Sequence, residues 1–173
     1  MENGTFWLSD HPDSVGSVGW DASLPRIATW ILLKDKKKNR AFVVINTHFD
    51  HIGQKARQQS AELIKRWISE NVPNLPVILA GDLNVTEKSE AYKSLTDEGS
   101  PFVDASKICK KRDGVGYSFH NFGRMKEIDK SKIDYIFVSS GIKVKTVCVP
   151  HEDPIEGVYL SDHNPIIAHI LIR

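Results

Sequence analysis

Pro76-Val77-Ile78-Leu79-Ala80-Gly81-Asp82-Leu83-Asn84 is the stretch on which the reading of this chain turns. Val77 to Ala80 is an unbroken apolar run after a proline, the pattern of a strand buried on both faces, and Gly81 lets the backbone turn out of it. Asp82 and Asn84 stand two apart, so an extended backbone points both to one side of a sheet and turns Leu83 into the core. A carboxylate beside an amide at the end of a buried strand can hold a water, or a metal and its water. The same residues also open a turn, because both polar types favour turns. The stretch alone leaves the two readings level.

Immediately upstream, Lys55 to Glu70 carries Ala61, Ile64 and Ile68 on one face with Leu63 and Trp67 beside them, a helical period stopped by Asn71 and Pro73. Arg26 to Lys34 and Ala41 to Phe49 are β-rich and flank a Lys-Asp-Lys-Lys-Lys-Asn turn, which predicts an antiparallel hairpin. Thr5 to Leu8 reads as a short strand. Ser9 to Pro25, rich in Gly, Asp, Ser and Pro, reads as a long loop of the kind that carries function.

Downstream, Ser89 to Asp97 predicts a short helix capped by Ser89 and closed near Gly99. From Ser100 to Lys132 the period weakens, with Gly114, Gly116 and Gly123 among Tyr117, Phe119 and Phe122, an extended or looped region framing a site. Ile133 to Val138, Ile142 to Val149 and Ile166 to Ile172 read as strands, the middle one alternating Ile142 and Val144 against Lys143 and Lys145. There is no internal repeat and no linker.

With 173 residues, 40% hydrophobic and 26% charged, the chain has the make-up of one globular domain. A net charge of +1 provides no strong field toward nucleic acid or membrane. The basic runs Lys34, Lys36, Lys37, Lys38, Arg40 and Lys107 to Arg112 read as solvated loops. Cys109 and Cys148 make neither a disulfide framework nor a metal site, so free thiols are expected. No stretch is apolar enough to span a bilayer and Met1-Glu-Asn-Gly is no signal sequence, which favours a soluble, cytoplasmic location.

Polar residues gather where strands end: His48 after Asn46-Thr47, Asp82 and Asn84, Asp134 within Ile-Asp-Tyr-Ile-Phe, and Asp162-His163 before the last strand. Three carboxylates brought together raise one another's pKa unless a cation sits among them, and an oxygen-rich set favours Mg²⁺ or Mn²⁺. Zinc fits less well, because cysteine takes no part and the histidine spacings match no zinc pattern. A serine nucleophile at Ser161 beside Asp162-His163 lacks the Gly-x-Ser-x-Gly elbow.

The ordered set Asn46-Thr47-His48, Gly81-Asp82-Leu83-Asn84, Ile133-Asp134-Tyr135-Ile136-Phe137 and Ser161-Asp162-His163-Asn164-Pro165 resembles the endonuclease/exonuclease/phosphatase superfamily, the DNase I-like metal-dependent phosphohydrolases. The likeness extends through Gly4-Thr5-Phe6-Trp7-Leu8-Ser9, Gly19-Trp20-Asp21 and Leu24-Pro25-Arg26 and covers essentially the whole chain. It implies an α/β (α+β) four-layer sandwich, with two mixed β-sheets face to face and helices flanking them. It also implies in-line attack of water on phosphorus with a divalent cation, Mg²⁺ or Mn²⁺, in attendance. Carried over by position, Asp82 is the general base and a metal ligand. Asn84 orients the water or the phosphate. His163 lies against the phosphate with Asp134 fixing its tautomer. His48 donates to a non-bridging oxygen, and Asp162 binds the metal or its water.

Four further residues are candidates on the substrate side. Arg26 closes Leu24-Pro25-Arg26 after the long loop, and His51 and Arg57 follow His48 in Thr47-His48-Phe49-Asp50-His51 and Ala56-Arg57, stretches that share in the likeness, with Arg26 and Arg57 reading equally as surface cations. His120 lies among aromatics that can flank a base or sugar or pack a core. In one respect the chain departs from the pattern. The resemblance implies an amide-bearing strand and a metal-binding glutamate upstream of Gly4, and Glu2 has no strand context to replace it. Residues 1–173 therefore read as a single domain incomplete at its N-terminus, with self-association as one way to cover the exposed strands. Two functions follow: a phosphodiesterase, nuclease or phosphatase, with nucleic acid among its substrates, or a non-catalytic relative that binds a phosphorylated ligand.

Overall fold

A computed structural model describes residues 2–151 and 153–173. In chain order the strands are β1 (Asn3–Trp7), β2 (Ile27–Asp35), β3 (Arg40–His48), β4 (Val77–Asp82), β5 (Val103–Asp104), β6 (Lys111–Gly114), β7 (Asp134–Val138), β8 (Ile142–Val149) and β9 (Ile167–Ile172). The helices are α1 (Gln54–Asn71), α2 (Glu90–Thr96) and α3 (Ala105–Ile108), with one 3-10 turn at Glu127–Asp129. They form two mixed sheets, one ordered β1-β2-β3-β4-β7-β5 and one ordered β6-β8-β9. The expected α/β sandwich of two mixed sheets is what the chain builds.

Alternation along the strands sorts the core into two layers. Val43, Ile45, Val77, Leu79, Tyr135 and Phe137 share one cluster with Ala61, Leu63, Ile64 and Ile68 of α1, so this face of the large sheet is covered by helix. Their strand neighbours Phe42, Val44, Ile78, Ile136 and Val138 instead meet Ile142, Val144, Val147 and Ile172 of the small sheet. Val77, Ile78 and Leu79 are all buried, as a strand sandwiched on both faces requires.

The β2–β3 hairpin pairs antiparallel from Ala28 with Thr47 to Asp35 with Arg40. β3 then runs parallel to β4, with α1 as the crossover between them. In β8 the alternation changes phase at a register shift between Val144 and Thr146, so Val147 and Val149 are buried after Ile142 and Val144. Three strands face six, and among the described residues β9 has a strand partner on one side alone. Beyond β3, Thr5 and Thr29 bond through their hydroxyls at 3.0 Å on an exposed surface, and Ile27 is 38% exposed.

The looped region expected between Ser100 and Lys132 contains short elements that the sequence pattern did not signal. β6 is exposed throughout and pairs parallel with β8, so no burial pattern marks it. Both cysteines are free, as expected. Among the described residues no helix is long and apolar enough to cross a membrane.

Candidate functional site

Sheet register assembles the site. His48 pairs with Asp82 across β3 and β4, and Asp82 pairs with Asp134 across β4 and β7, so three residues remote in sequence form one row at the strand ends. The same alternation that sends Val77 and Leu79 to the helices sends this row to the side facing the small sheet. His163 reaches the row from the segment leading into β9. A bridge to Phe119 and ring contact with it at 4.9 Å hold that segment in place.

Asp82 stands between two imidazoles. Its Oδ2 lies 3.3 Å from His48 Nε2 and 3.8 Å from His163 Nε2, while the other nitrogen of His163, Nδ1, lies 2.7 Å from Asp134 Oδ2. A carboxylate only accepts, so the bond places a proton on Nδ1 and aims Nε2 at the Asp82 side. The Asp134 hydrogen bond raises the His163 pKa above its ordinary value, against the effect of burial, and the charges of Asp134, Asp82 and Asp162 add to it. Burial pushes Asp82 up; the Asn84 N–H draws it partly back, and the Asp134 charge raises it again. Partial burial holds His48 down, opposed by the Asp82 charge and helped by that of Arg26.

A pH dependence follows from the raised pKa of His163. The pairing contributes stability that is full below the unfolded value of 6.5 and is lost as pH rises through the folded value. NMR of the imidazole should show His163 titrating above 6.5, and Asp134→Asn should bring it back down toward that value. The stability advantage of the wild type over Asp134→Asn should shrink as pH climbs past the folded midpoint. A titration unchanged by Asp134→Asn would show that the pair does not set it.

Asn84 departs from the extended geometry expected of Asp-Leu-Asn. β4 ends at Asp82, and Asn84 takes φ 50°, a left-handed conformation in which its N–H donates to Asp82 Oδ1 at 2.8 Å. Its Nδ2–H donates to the Phe49 carbonyl at 3.0 Å. Leu83 is buried at 1%, as the pattern predicted. The turn and the site are thus the same structure, because the turn carries the amide beside the carboxylate.

The remaining sequence candidates sit around this row. The main-chain carbonyl of Asp162 accepts from the N–H groups of His120 and Asn121, and its charge acts on His163. Arg26 donates through Nη2 to His51 Nδ1 at 3.2 Å. Arg57 donates through Nη1 to the Asp50 carbonyl at 2.9 Å. His120 is 2% exposed, with Nδ1 accepting from the Gly123 N–H and its ring 4.9 Å from that of Tyr159, so it packs the loop that carries His163.

Three positions outside the sequence candidates hold the site together. Ser118 is fully buried, and its Oγ accepts from the N–H groups of Ile133 and Asp134, fixing the start of β7. Asp50 is 2% exposed and ties the end of β3 to the long loop through Ser23 and Leu24. Asp21 accepts from Lys55 N at 3.1 Å and Ala56 N at 2.6 Å, capping α1 from far away in sequence. The local signal for that cap was a missing one: Gly53 precedes α1 and offers no side-chain acceptor.

A hard divalent cation fits this donor set. Asp82, Asp134 and His163 each present an atom able to ligate, and these atoms all lie within 4.8 Å of one another; the carboxylates of Asp82 and Asp134 are the hard donors, and His163 ligates only when its Nε2 is unprotonated. The Asp162 carboxylate lies outside that group.

An α/β sandwich with carboxylates and imidazoles converging at the strand ends defines a class of folds, and comparison with known proteins gives the family. The chain belongs to the Endonuclease/Exonuclease/phosphatase family, whose model matches residues 3–163. Its fold is that of an endonuclease/exonuclease/phosphatase from Bacteroides vulgatus, with 46% identity and a TM-score of 0.93, over 100% of this chain and 66% of that one. A mannosyl-6-phosphatase from Bacteroides thetaiotaomicron is 37% identical with a TM-score of 0.86, over 98% of this chain and 66% of that one. A probable CCR4-Not complex 3'-5'-exoribonuclease subunit from Encephalitozoon cuniculi is 32% identical over 139 residues, 70% of this chain and 28% of its own length. The chain thus spans about two thirds of the two structures and a smaller share of the exoribonuclease subunit.

Proposed function

We propose that the chain carries the hydrolytic site of a metal-dependent phosphate-ester hydrolase in which Asp82 activates the attacking water. The observation that carries this reading is the placement of the Asp82 carboxylate between His48 Nε2 at 3.3 Å and His163 Nε2 at 3.8 Å, on a row fixed by sheet register. Likeness to a phosphatase and to a probable exoribonuclease subunit supports phosphate-ester chemistry.

Asp82 accepts the proton of a water as that water attacks phosphorus in line with the leaving group. Asn84, fixed by its turn, orients the water or the phosphate. His163 carries a proton on Nε2 when charged, and its raised pKa keeps more of it charged near neutral pH, so it donates to the phosphate where negative charge builds. Asp134 keeps the ring in that orientation. His48 donates to a second oxygen. Mg²⁺ or Mn²⁺, held by Asp82 with Asp134 close by, and with Asp162 acting on the metal's water from outside that group, would neutralise developing charge on phosphorus. Arg26, His51 and Arg57 lie on the substrate side, and His120 supports the loop that presents His163.

The purified chain should release p-nitrophenol from p-nitrophenyl phosphate or from bis-p-nitrophenyl phosphate when Mg²⁺ or Mn²⁺ is present. EDTA should abolish turnover and excess metal restore it. Phosphate binding without turnover in any metal would instead support a non-catalytic, ligand-binding role for the same pocket.

A further inference from the structure

At the rim of the site, beside His48, a buried carboxylate organises two cationic or donor groups that the hydrolytic row does not use. Asp50 Oδ1 accepts from Ile52 N at 2.9 Å and Gly53 N at 2.7 Å, while Oδ2 accepts from Ser23 Oγ and Leu24 N, each at 3.2 Å. Burial opposes its charge, but these hydrogen bonds hold the carboxyl well below the usual range. Arg26 Nε sits 3.6 Å from Asp50 Oδ2, buried and without a hydrogen-bond partner among the described residues. The carboxylate is occupied by the loop, so it holds Arg26 by charge and not by a two-pronged bond. With Nε buried against Asp50 and Nη2 donating to His51, the remaining Nη hydrogens of the guanidinium are the ones that can meet another acceptor.

His51 is oriented in turn. Arg26 can only donate, so His51 Nδ1 accepts its Nη2–H at 3.2 Å and the proton of the neutral ring lies on Nε2. The side chain of His51 is 48% exposed, which leaves Nε2–H open to a ligand. Arg26 lies just ahead of Ile27, at the start of β2 where Ala28 pairs with Thr47, and is thus placed next to His48, where β3 ends. Its charge is felt by His48.

We infer that Asp50 is a positioning residue that turns Arg26 and His51 into a donor pair for an anion at this rim, and that the anion is the terminal phosphoryl group of a phosphomonoester. The inference rests on the hydrolase reading for its substrate. A diester offers two non-bridging oxygens and one charge, which His48 and His163 match. A monoester offers a third oxygen and a second charge, and a guanidinium with an imidazole N–H supplies their counterparts.

The test uses the whole chain as wild type, Asp50→Asn, Arg26→Met and Arg26→Lys. Calorimetric titration with inorganic phosphate is combined with kinetics on p-nitrophenyl phosphate and bis-p-nitrophenyl phosphate. Phosphate affinity should fall about tenfold or more in Arg26→Met and Asp50→Asn, with partial rescue in Arg26→Lys. The ratio of kcat/KM for the monoester to that for the diester should fall with it, carried mainly by KM. Arg26→Met leaves the loop bonds of Asp50 in place, so it decides the matter even where Asp50→Asn fails to fold. An unchanged monoester-to-diester ratio, with both esters slowed alike, would reduce Asp50 to loop packing and overturn the inference. If wild type turns over neither ester, the hydrolase reading fails, and the titration alone then decides: phosphate affinity unaffected by Arg26→Met overturns the donor pair.

Discussion

Replacing Asp82 with asparagine should lower turnover by about 10²- to 10⁴-fold, the range spanned by loss of a general base, while leaving the fold intact. The substitution keeps the side-chain volume and an oxygen that can still accept the Asn84 N–H, now 2.8 Å from Oδ1. It removes the charge that lies 3.3 Å from His48 and 3.8 Å from His163. Because burial and Asp134 already penalise that charge, its removal should not cost stability and should raise the unfolding midpoint slightly near neutral pH. Activity kinetics and thermal unfolding on one sample separate the two effects. Turnover within a few fold of wild type would mean that another group takes the proton.

Gly81→Ala should have the largest effect on stability. A Cβ at Gly81 would lie 1.8 Å from the Thr47 carbonyl oxygen, and the backbone there has φ 147°, which an L side chain rarely adopts. Thr47 cannot yield easily. It is 3% exposed, and its Oγ1 donates to the Ile27 carbonyl at 2.9 Å. The two strands would have to part where they carry His48 and Asp82 side by side. A loss of more than about 4 kcal/mol in denaturant unfolding is expected, together with loss of turnover. Gly114 is an internal control. Gly114 shares both features, with φ 86° and a Cβ that would lie 2.0 Å from the Val149 carbonyl, but β6 is an exposed edge strand that can shift to relieve them, so Gly114→Ala should cost less. Equal costs at the two positions would mean that the clash at Gly81 is relieved by local movement.

Elements with a strong local period were legible in the sequence. β8 runs over the predicted residues from Ile142 to Val149, α1 extends the predicted helix by one residue at each end, and Ser89 caps α2 by accepting from Tyr92 N. Each of these is specified by residues close together in the chain. The Lys-rich turn likewise announced the β2–β3 hairpin. β6 was not legible, because Lys-Arg-Asp-Gly buries nothing and is a strand only through its pairing with β8.

The chemistry of the candidate site was legible as residue types and order, but its geometry was not. That His48, Asp82 and Asp134 form one row follows from a parallel pairing and an antiparallel pairing over long sequence separations. Local pattern carries no information on such registers. Asp50 was not legible in its role, for a related reason. It stands in Thr47-His48-Phe49-Asp50-His51 between two histidines, and only the folded loop shows that its carboxylate is filled by donors from Ser23, Leu24, Ile52 and Gly53.

The most direct measurement of the central claim is phosphorus-31 NMR of p-nitrophenyl phosphate turned over by the chain with Mg²⁺ in ¹⁸O-enriched water. Direct attack of an Asp82-activated water on phosphorus predicts one ¹⁸O atom in each inorganic phosphate released, with the same outcome in Mn²⁺ and turnover by Asp82→Asn lowered by about 10²- to 10⁴-fold. Phosphate that emerges without the label, or full turnover by Asp82→Asn, would contradict it.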